Sequence, residues 1–401
     1  MTAKPSHTLP ALFLLCAVAS AQTPKFEPEW NLRLRHEQVD DAAFAANARA
    51  DTLRLRAGLR FSFAGNWSAL LEGEGVVAAG DRYNSGANGQ TRYPAVIDPE
   101  GPELNQAWIG WHDTRLAATL GRQRILLDNQ RWVGNVGWRQ NEQTFDAVVT
   151  EFKATDALTL KYDWLAGVQR VSGDRARDRL ARNRDLNTHL FNVGYKLGAQ
   201  QWVGYAYLHD DHDVASASTA TFGLRWSADW IANGSGWAWT AEAARQSDYA
   251  DNPLSFAHNY WLLEPAYSWR GTTFKLGWEH LGGNGRHALQ TPLATLHAFD
   301  GWADKFVPTP VGGLEDRYLS AGGKFGRIGD GRFTWAVVYH DYRADTATAG
   351  TSNYGHEWDA SLGFPLAKSL SALVKLADYR SDGYARDTTK FWLQLEWIGP
   401  Q

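Results

Sequence analysis

The stretch GRQRILLDNQRWVGNVGWRQNEQTFDAV, residues 121–148, sets Arg122, Arg124, Arg131 and Arg139 among Asn, Gln, Gly and two Trp, with Asp128, Glu142 and Asp146 as its acids. A guanidinium offers a planar fork of donors that matches a carboxylate or phosphate through two parallel hydrogen bonds, so a set of four suits recognition of anions. Gly134 and Gly137 permit tight bends, while Trp132 and Trp138 can wedge a loop against a wall or stack on a sugar ring. The run is too polar for a core and shows no helical stripe. A second basic set comes earlier, with Arg33 and Arg35 followed by Arg54, Arg56 and Arg60.

Other chemistry is sparse. HDDHD at 209–213 holds ligand-type residues for a divalent cation but reads more simply as a solvated loop. There is no G-x-S-x-G elbow and no H-E-x-x-H helix. A hydrolase would need His with Ser or Asp gathered at one rim, and His209, Asp210 and His212 come nearest to that. No cofactor and no nucleic-acid partner are expected, and a net charge of −4 implies no partner by itself.

The elements that must position these arginines alternate with a period of two. In TLRLRAGLRFSF, Leu53, Leu55, Leu59, Phe61 and Phe63 share one parity, and Thr52, Arg54, Arg56, Arg60 and Ser62 share the other. Successive strand side chains point to opposite faces, so one face is apolar and the other cationic. GWAWTAEAARQ and TKFWLQLEW repeat the rhythm, the latter with Lys390, Trp392, Gln394 and Glu396 on its polar side. About eighteen such runs can be marked, the first two near 28–37 and 50–63 and the last near 389–398, at roughly 21 residues per strand and connection. Connections after even strands are short (AGN, HDTR, PLAKS); those after odd strands are long, as at 80–103, 123–142, 167–186 and 282–316.

The ends and composition fit this pattern. MTAKPSHTLPALFLLCAVASAQ has a basic start, a short apolar stretch and Ala19-Ser20-Ala21 as a cleavage site, so 1–21 reads as a secretory signal. Its removal takes away Cys16, the one cysteine, which suits passage through an oxidising compartment. No later stretch has the 18 or so unbroken apolar residues of a spanning helix, about the length a bilayer demands. Yet the chain holds 20 Trp, 15 Tyr and 17 Phe. Exported, aromatic-rich and lacking an apolar helix, residues 22–401 are expected to form one all-β, transmembrane antiparallel barrel with short periplasmic turns and long outer loops. Its apolar parity would face lipid and its charged parity the lumen. A soluble β-sandwich would not keep alternating short and long connections over nine cycles. Eighteen strands enclose an aqueous channel, and loops 123–142 and 282–316 are expected to fold inward and narrow it.

Three segments carry a family resemblance: the opening stretch, AEAARQSDYADNP (241–253) and LQTPLATLHAFDGWADKFVPTPVGGLED (289–316). They resemble signature segments of the alginate-export family of outer-membrane porins, and the likeness extends over essentially the whole mature chain. The resemblance implies an eighteen-stranded barrel that passes an anionic uronate polymer through an arginine-rich lumen. By position it names Arg122, Arg124, Arg131, Arg139, Asp128 and Asp146 as constriction residues, with Asp300, Asp304 and Lys305 as weaker candidates in the second loop. Characterised alginate exporters carry a longer periplasmic lid late in the barrel, whereas the corresponding turn here, FPLAKS, is too short to cover a pore. That departure favours a channel for smaller anionic or sugar substrates over gated polymer export. The partners expected are an anionic saccharide, the bilayer with its lipopolysaccharide, and a periplasmic secretion or uptake component. The alternative is a general or small-anion and sugar uptake porin; less favoured is a hydrolase or adhesin carried on a plugged barrel, which would pass little current.

Overall fold

Alternation in the sequence becomes a two-faced wall. The structure, a computed structural model, describes residues 24–63, 65–328 and 331–400, so the signal reading of 1–21 lies outside the described residues. Within them the chain runs through β1 (Lys25–Asp41), β2 (Ala48–Phe63), β3 (Trp67–Ala78), β4 (Gly101–His112), β5 (Leu116–Gln123) and β6 (Thr144–Lys153). It continues through β7 (Leu158–Gln169), β8 (Arg184–Leu197), β9 (Gln200–His209), β10 (Thr219–Asp229), β11 (Gly236–Asp248) and β12 (Ala257–Trp269). The last six are β13 (Thr272–Leu281), β14 (Leu314–Ile328), β15 (Gly331–Thr348), β16 (Thr351–Ala367), β17 (Leu370–Ser381) and β18 (Thr388–Ile398). Each strand pairs antiparallel with the next, and β1 pairs with β18 as well as with β2, which closes the 18-stranded sheet. Closure leaves no free edge, the condition for crossing lipid with strands. The expected strand count and the short-turn, long-loop rhythm are both borne out.

Register fixes the two faces. Leu34 stands opposite Leu53 and Leu32 opposite Leu55, while Arg33 stands opposite Arg54 and Arg35 opposite Thr52. Leu34 is 51% exposed and Leu55 47%, against 0% for Arg54, so leucines face outward and arginines inward. Aromatics gather at the strand ends beside the short turns, with Trp30 edge-on to Trp397 at 5.1 Å and Trp202 beside Trp226 at 6.0 Å. That is the girdle position, where amphipathic rings meet the headgroup layer.

One connection differs from expectation. Sequence alternation runs near 331–343 and again near 355–364, which predicts a loop between them. Instead β15 and β16 stay paired out to Thr348 and Thr351. Ala349 and Gly350 close the hairpin at φ 50° and 84°, the double positive-φ turn that matches strand twist. The Thr-rich flanks, being β-branched, favour extended backbone.

The lumen is filled from above. Loop segments 124–143 and 282–313 supply buried residues of the main core, including Trp132, Val133, Leu289, Leu293 and Phe306, while Tyr83 and Val96 of 79–100 pack on Val39, Ala48 and Ala50 of β1 and β2. Two of these segments pair with each other. Val133 and Leu293 form a parallel bridge, Gly134 N–H donates to the Leu293 carbonyl at 2.9 Å, and Thr295 N–H to the Gln130 carbonyl at 3.0 Å. A side chain at Gly134 would collide with Thr295 Oγ1, so the absence of Cβ there permits the approach.

Candidate functional site

The barrel wall of β18, β1 and β2 carries the basic residues, and the inward loop 124–143 lies against them. Arg33 Nη1 reaches the carbonyls of Gly137, Trp138 and Arg139 at 3.1, 3.3 and 3.2 Å. Arg35 Nη2 donates to the Trp138 carbonyl at 2.6 Å, and Arg56 Nη2 to the Gln140 carbonyl at 3.2 Å. Four successive loop carbonyls are therefore capped by three wall guanidiniums. A buried carbonyl needs a donor, and an ionised one makes the stronger bond.

The arginines of the loop itself point to opposite walls. Arg131 crosses to β13, with Nε 2.7 Å from Glu279 and Nη2 2.9 Å from Asp300. Arg139 stays at β1, where Nη1 is 3.2 Å from Glu37 and Nη2 3.2 Å from Asp304. Burial by itself would favour the neutral guanidine at both places. Asp300 and Glu279 outweigh it for Arg131, and Glu37, Asp98 and Asp304 for Arg139, so both are held charged. Next to Arg131, Trp132 Nε1 donates to Glu242 at 2.8 Å, and its ring lies edge-on to Tyr260 at 5.2 Å.

A compact polar knot ties the second loop to the same wall. Asp304 Oδ2 accepts from Lys390 Nζ at 2.7 Å and from Arg139 Nη2 at 3.2 Å, while Asp304 Oδ1 lies 2.7 Å from His297 Nδ1. His297 Nε2 faces Lys375 Nζ at 2.7 Å. Burial alone would raise the Asp304 carboxyl, but His297, Lys390 and Arg139 hold it well below the ordinary carboxylate range. Burial pushes the His297 imidazole well below its usual value despite Asp304, and Lys375 adds to the fall. The ring is thus neutral, donating from Nδ1 to Asp304 and accepting at Nε2 from Lys375. Trp138 stacks on His297, and Arg35 and Lys375 lie 4.2 Å from its ring centroid.

Below this plug, toward the short turns, a recess of about 620 Å³ opens between β1, β2, β18 and the loop underside. Arg33, Arg54, Arg56, Arg60 and Arg124 share it with Glu29, Glu72, Glu142 and Glu396. Arg60 and Arg124 are the most open of these cations, at 37% and 31% side-chain exposure. Arg60 is 3.1 Å from Glu29, with its guanidinium over the Trp108 ring. Arg124 sits between Glu142 at 2.5 Å and Glu72 at 2.9 Å. Arg54 donates to Asn31 and lies 3.3 Å from Glu396.

Several expected constriction residues lie elsewhere. Arg122 and Asp146 pair at 2.8 Å, but Arg122 shares the parity of Leu120 and stands opposite Ala107, and Asp146 shares that of Val148. Leu120 is 58% exposed, so this pair is on the outer surface of the wall and not in the lumen. Arg131 does not join the β1–β2 arginines in one ring, because Glu279 and Asp300 draw it across the barrel. Asp128 is exposed in a separate recess of about 320 Å³ beside Lys161 and accepts from Asn192 at 3.3 Å. Lys305 bonds Asp41 at 2.6 Å and so fastens the second loop to the outer end of β1.

Residues 209–213 do not converge on a cation: Asp211 pairs with Arg184 at 2.7 Å and His209 faces Thr188 at 2.9 Å. Among the described residues the convergent acidic group is Glu279, Asp300 and Asp316, and Arg131 and His340 already meet its charge. Sequence pattern does not single out Asp98, Glu37 or His297 as partners, and it marks Glu396 only as a residue on the polar side of the last strand. For Asp98 a signal existed, since 80–103 is one of the long connections.

Among solved structures the chain is similar to Pseudomonas aeruginosa OccK9 (OpdG), with TM-score 0.74 at 14% identity over 94% of this chain and 98% of that one. It is also similar to Acinetobacter baumannii OccAB2 (TM-score 0.72, 12% identity, 93% and 98% covered) and OccAB3 (0.70, 11%, 94% and 99%). At such identities the likeness is one of fold. No curated protein matches the sequence. A family model described as alginate export matches residues 28–276. This closed eighteen-stranded barrel is a channel protein of the bacterial outer membrane and belongs to the alginate export family.

Proposed function

We propose that the barrel passes uronate-type, anionic saccharides passively, selecting them by guanidinium contacts in the lumen. The recess beneath the plug carries this reading, because five arginines meet there and two, Arg60 and Arg124, keep open faces. A carboxylate entering that recess exchanges hydration for charge-assisted hydrogen bonds where the wall screens less than bulk water. Trp108 beneath the Arg60 guanidinium offers a flat surface for sugar rings. The test is reversal potential and current block in planar bilayers, with oligouronates against neutral oligosaccharides of equal length. Anion preference and block by uronates alone are expected, and both should weaken in Arg60→Gln/Arg124→Gln. Equal block by neutral sugars would overturn uronate selectivity.

A second reading, uptake of small anions or single sugars, is favoured by the plug itself. The recess of about 620 Å³ falls within the 300–1,000 Å³ or so of ordinary small-molecule sites. The turn between β16 and β17 is two residues long, which leaves no lid there. Liposome swelling with mono-, di- and longer uronates separates the two: swelling that stops at disaccharides supports this second reading. The bilayer, lipopolysaccharide and a periplasmic partner belong to either one.

A further inference from the structure

Three inward connections each send one acid to the basic wall, and the three land on neighbouring strands. Asp304, from 282–313, is held by Lys390 of β18 at 2.7 Å, with Arg139 and His297 completing its seat. Asp98, from 79–100, faces Arg35 of β1 at 3.9 Å. Glu142, from 124–143, faces Arg56 of β2 at 3.2 Å and takes Arg124 Nε at 2.5 Å. Since β18, β1 and β2 are consecutive in the sheet, the row crosses two strand spacings, about 10 Å.

We propose that Asp98, Glu142 and Asp304 are internal stand-ins for the carboxylates of a uronate chain. They occupy its seats on β18, β1 and β2 and keep the loops closed until an anionic saccharide displaces them. The inference rests on the uronate reading and adds how the plug opens.

The middle seat is imperfectly filled. Arg35 Nη1 and Asp98 Oδ2 are both buried, and among the described residues neither has a hydrogen-bond partner; the same holds for Nε and Nη1 of neighbouring Arg54. The wall therefore has more donor capacity than the loop acids use. Exchange must be carboxylate for carboxylate, because an acid leaving without replacement strands a buried cation. A neutral sugar brings only hydroxyls and cannot make the exchange. A uronate chain carries one carboxylate per sugar, so after the first exchange the next ones are intramolecular and favoured by effective concentration. Asp304 leaving its seat would also break its ion pair with Arg139 and so loosen one link between the two loops.

The experiment uses the full chain in liposomes with a thiol at Ala303→Cys, a position 2% exposed and next to Asp304. The thiol is labelled with a polar maleimide. Slow labelling is expected alone, a severalfold increase with a guluronate trisaccharide, and none with maltotriose. Adding Asp304→Asn should raise ligand-free labelling to the liganded rate and remove the response, while Asp304→Glu should retain it. Lys390→Gln, which removes the seat and not the occupant, should act like Asp304→Asn, and a heat-shifted gel band confirms that each variant is folded. Unchanged labelling in both variants, or equal acceleration by maltotriose, overturns the proposal. Flux of the uronate measured in parallel keeps the readings apart. Flux without a labelling response sinks displacement alone, and a labelling response without flux sinks uronate passage alone.

Discussion

Trp138 lies flat on His297, with ring centroids 4.7 Å apart and planes 7° from parallel. The contact joins two inward loops that are far apart in sequence, and it sits between Arg35 and Lys375 of the wall. Loop-to-loop stacking and loop-to-wall cation–π attraction thus act on one indole. Trp138→Ala should lower the stability of the plug by about 3 kcal/mol, the low end for Trp truncation because the ring is half-buried. Trp138→Phe should restore part of it. Single-channel recording checks this: the Ala variant should flicker to larger conductances, and steady wild-type current from it would show that the stack does not hold the loops.

The wall has a stated inside and outside, and substitutions should respect it. Leu55→Lys puts a cation on the lipid face of β2 and should cost about 2–4 kcal/mol near mid-membrane. Arg56→Gln, one residue on, should insert normally. It should still loosen the plug, because Arg56 pairs with Glu74 and Glu142 and caps the Gln140 carbonyl. Gel migration before and after heating reports insertion, and the opposite ranking would mean that the two faces have been inverted.

Acid should release the second loop through Asp304. Its carboxyl is held below the ordinary value, so the stability it contributes is present above the unfolded pKa and is lost as pH falls through the folded one. His297 adds a second loss. A neutral imidazole with a depressed pKa binds its proton less readily when folded, so stability falls as pH drops below the usual imidazole range. Wild type and Asp304→Asn should therefore differ by a constant amount at neutral pH, and the gap should close below the ordinary carboxylate range. Thermal unfolding at a series of pH values measures it, and a gap that widens in acid would contradict the assignment.

Strand positions were legible because a half-buried strand imposes a period of two, and Leu53 to Phe63 show it without a break. The outward place of Arg122 was legible too, since it continues the Leu116–Leu120 parity. The resemblance to pore-loop residues masked that signal. What could not be read was which partner each arginine takes. Arg33, Arg35 and Arg56 are engaged by loop carbonyls, and every residue has a carbonyl, so no residue type marks the acceptor. Arg131 meets Glu279 and Asp300 only because loop 124–143 crosses the barrel, a long-range outcome that local pattern does not encode.

Charge reversal should separate arginines that hold the plug from arginines that face the path. Arg131→Glu would bring a new carboxylate against Glu279, Asp300 and Asp316, three buried acids that now share one guanidinium and His340. Removing the partner of a buried charge costs roughly 3–5 kcal/mol, and adding a like charge raises the penalty, so the loop should leave its seat. The expected sign is a large rise in conductance whatever the ion. Arg60→Glu acts on the most exposed cation of the recess, where solvent accommodates the change. There conductance should stay near wild type while the reversal potential in a salt gradient moves toward cations. Planar-bilayer recording of both variants decides the matter. A selectivity change without a conductance rise in Arg131→Glu would place that residue on the ion path, and an unchanged reversal potential in Arg60→Glu would remove the recess from it.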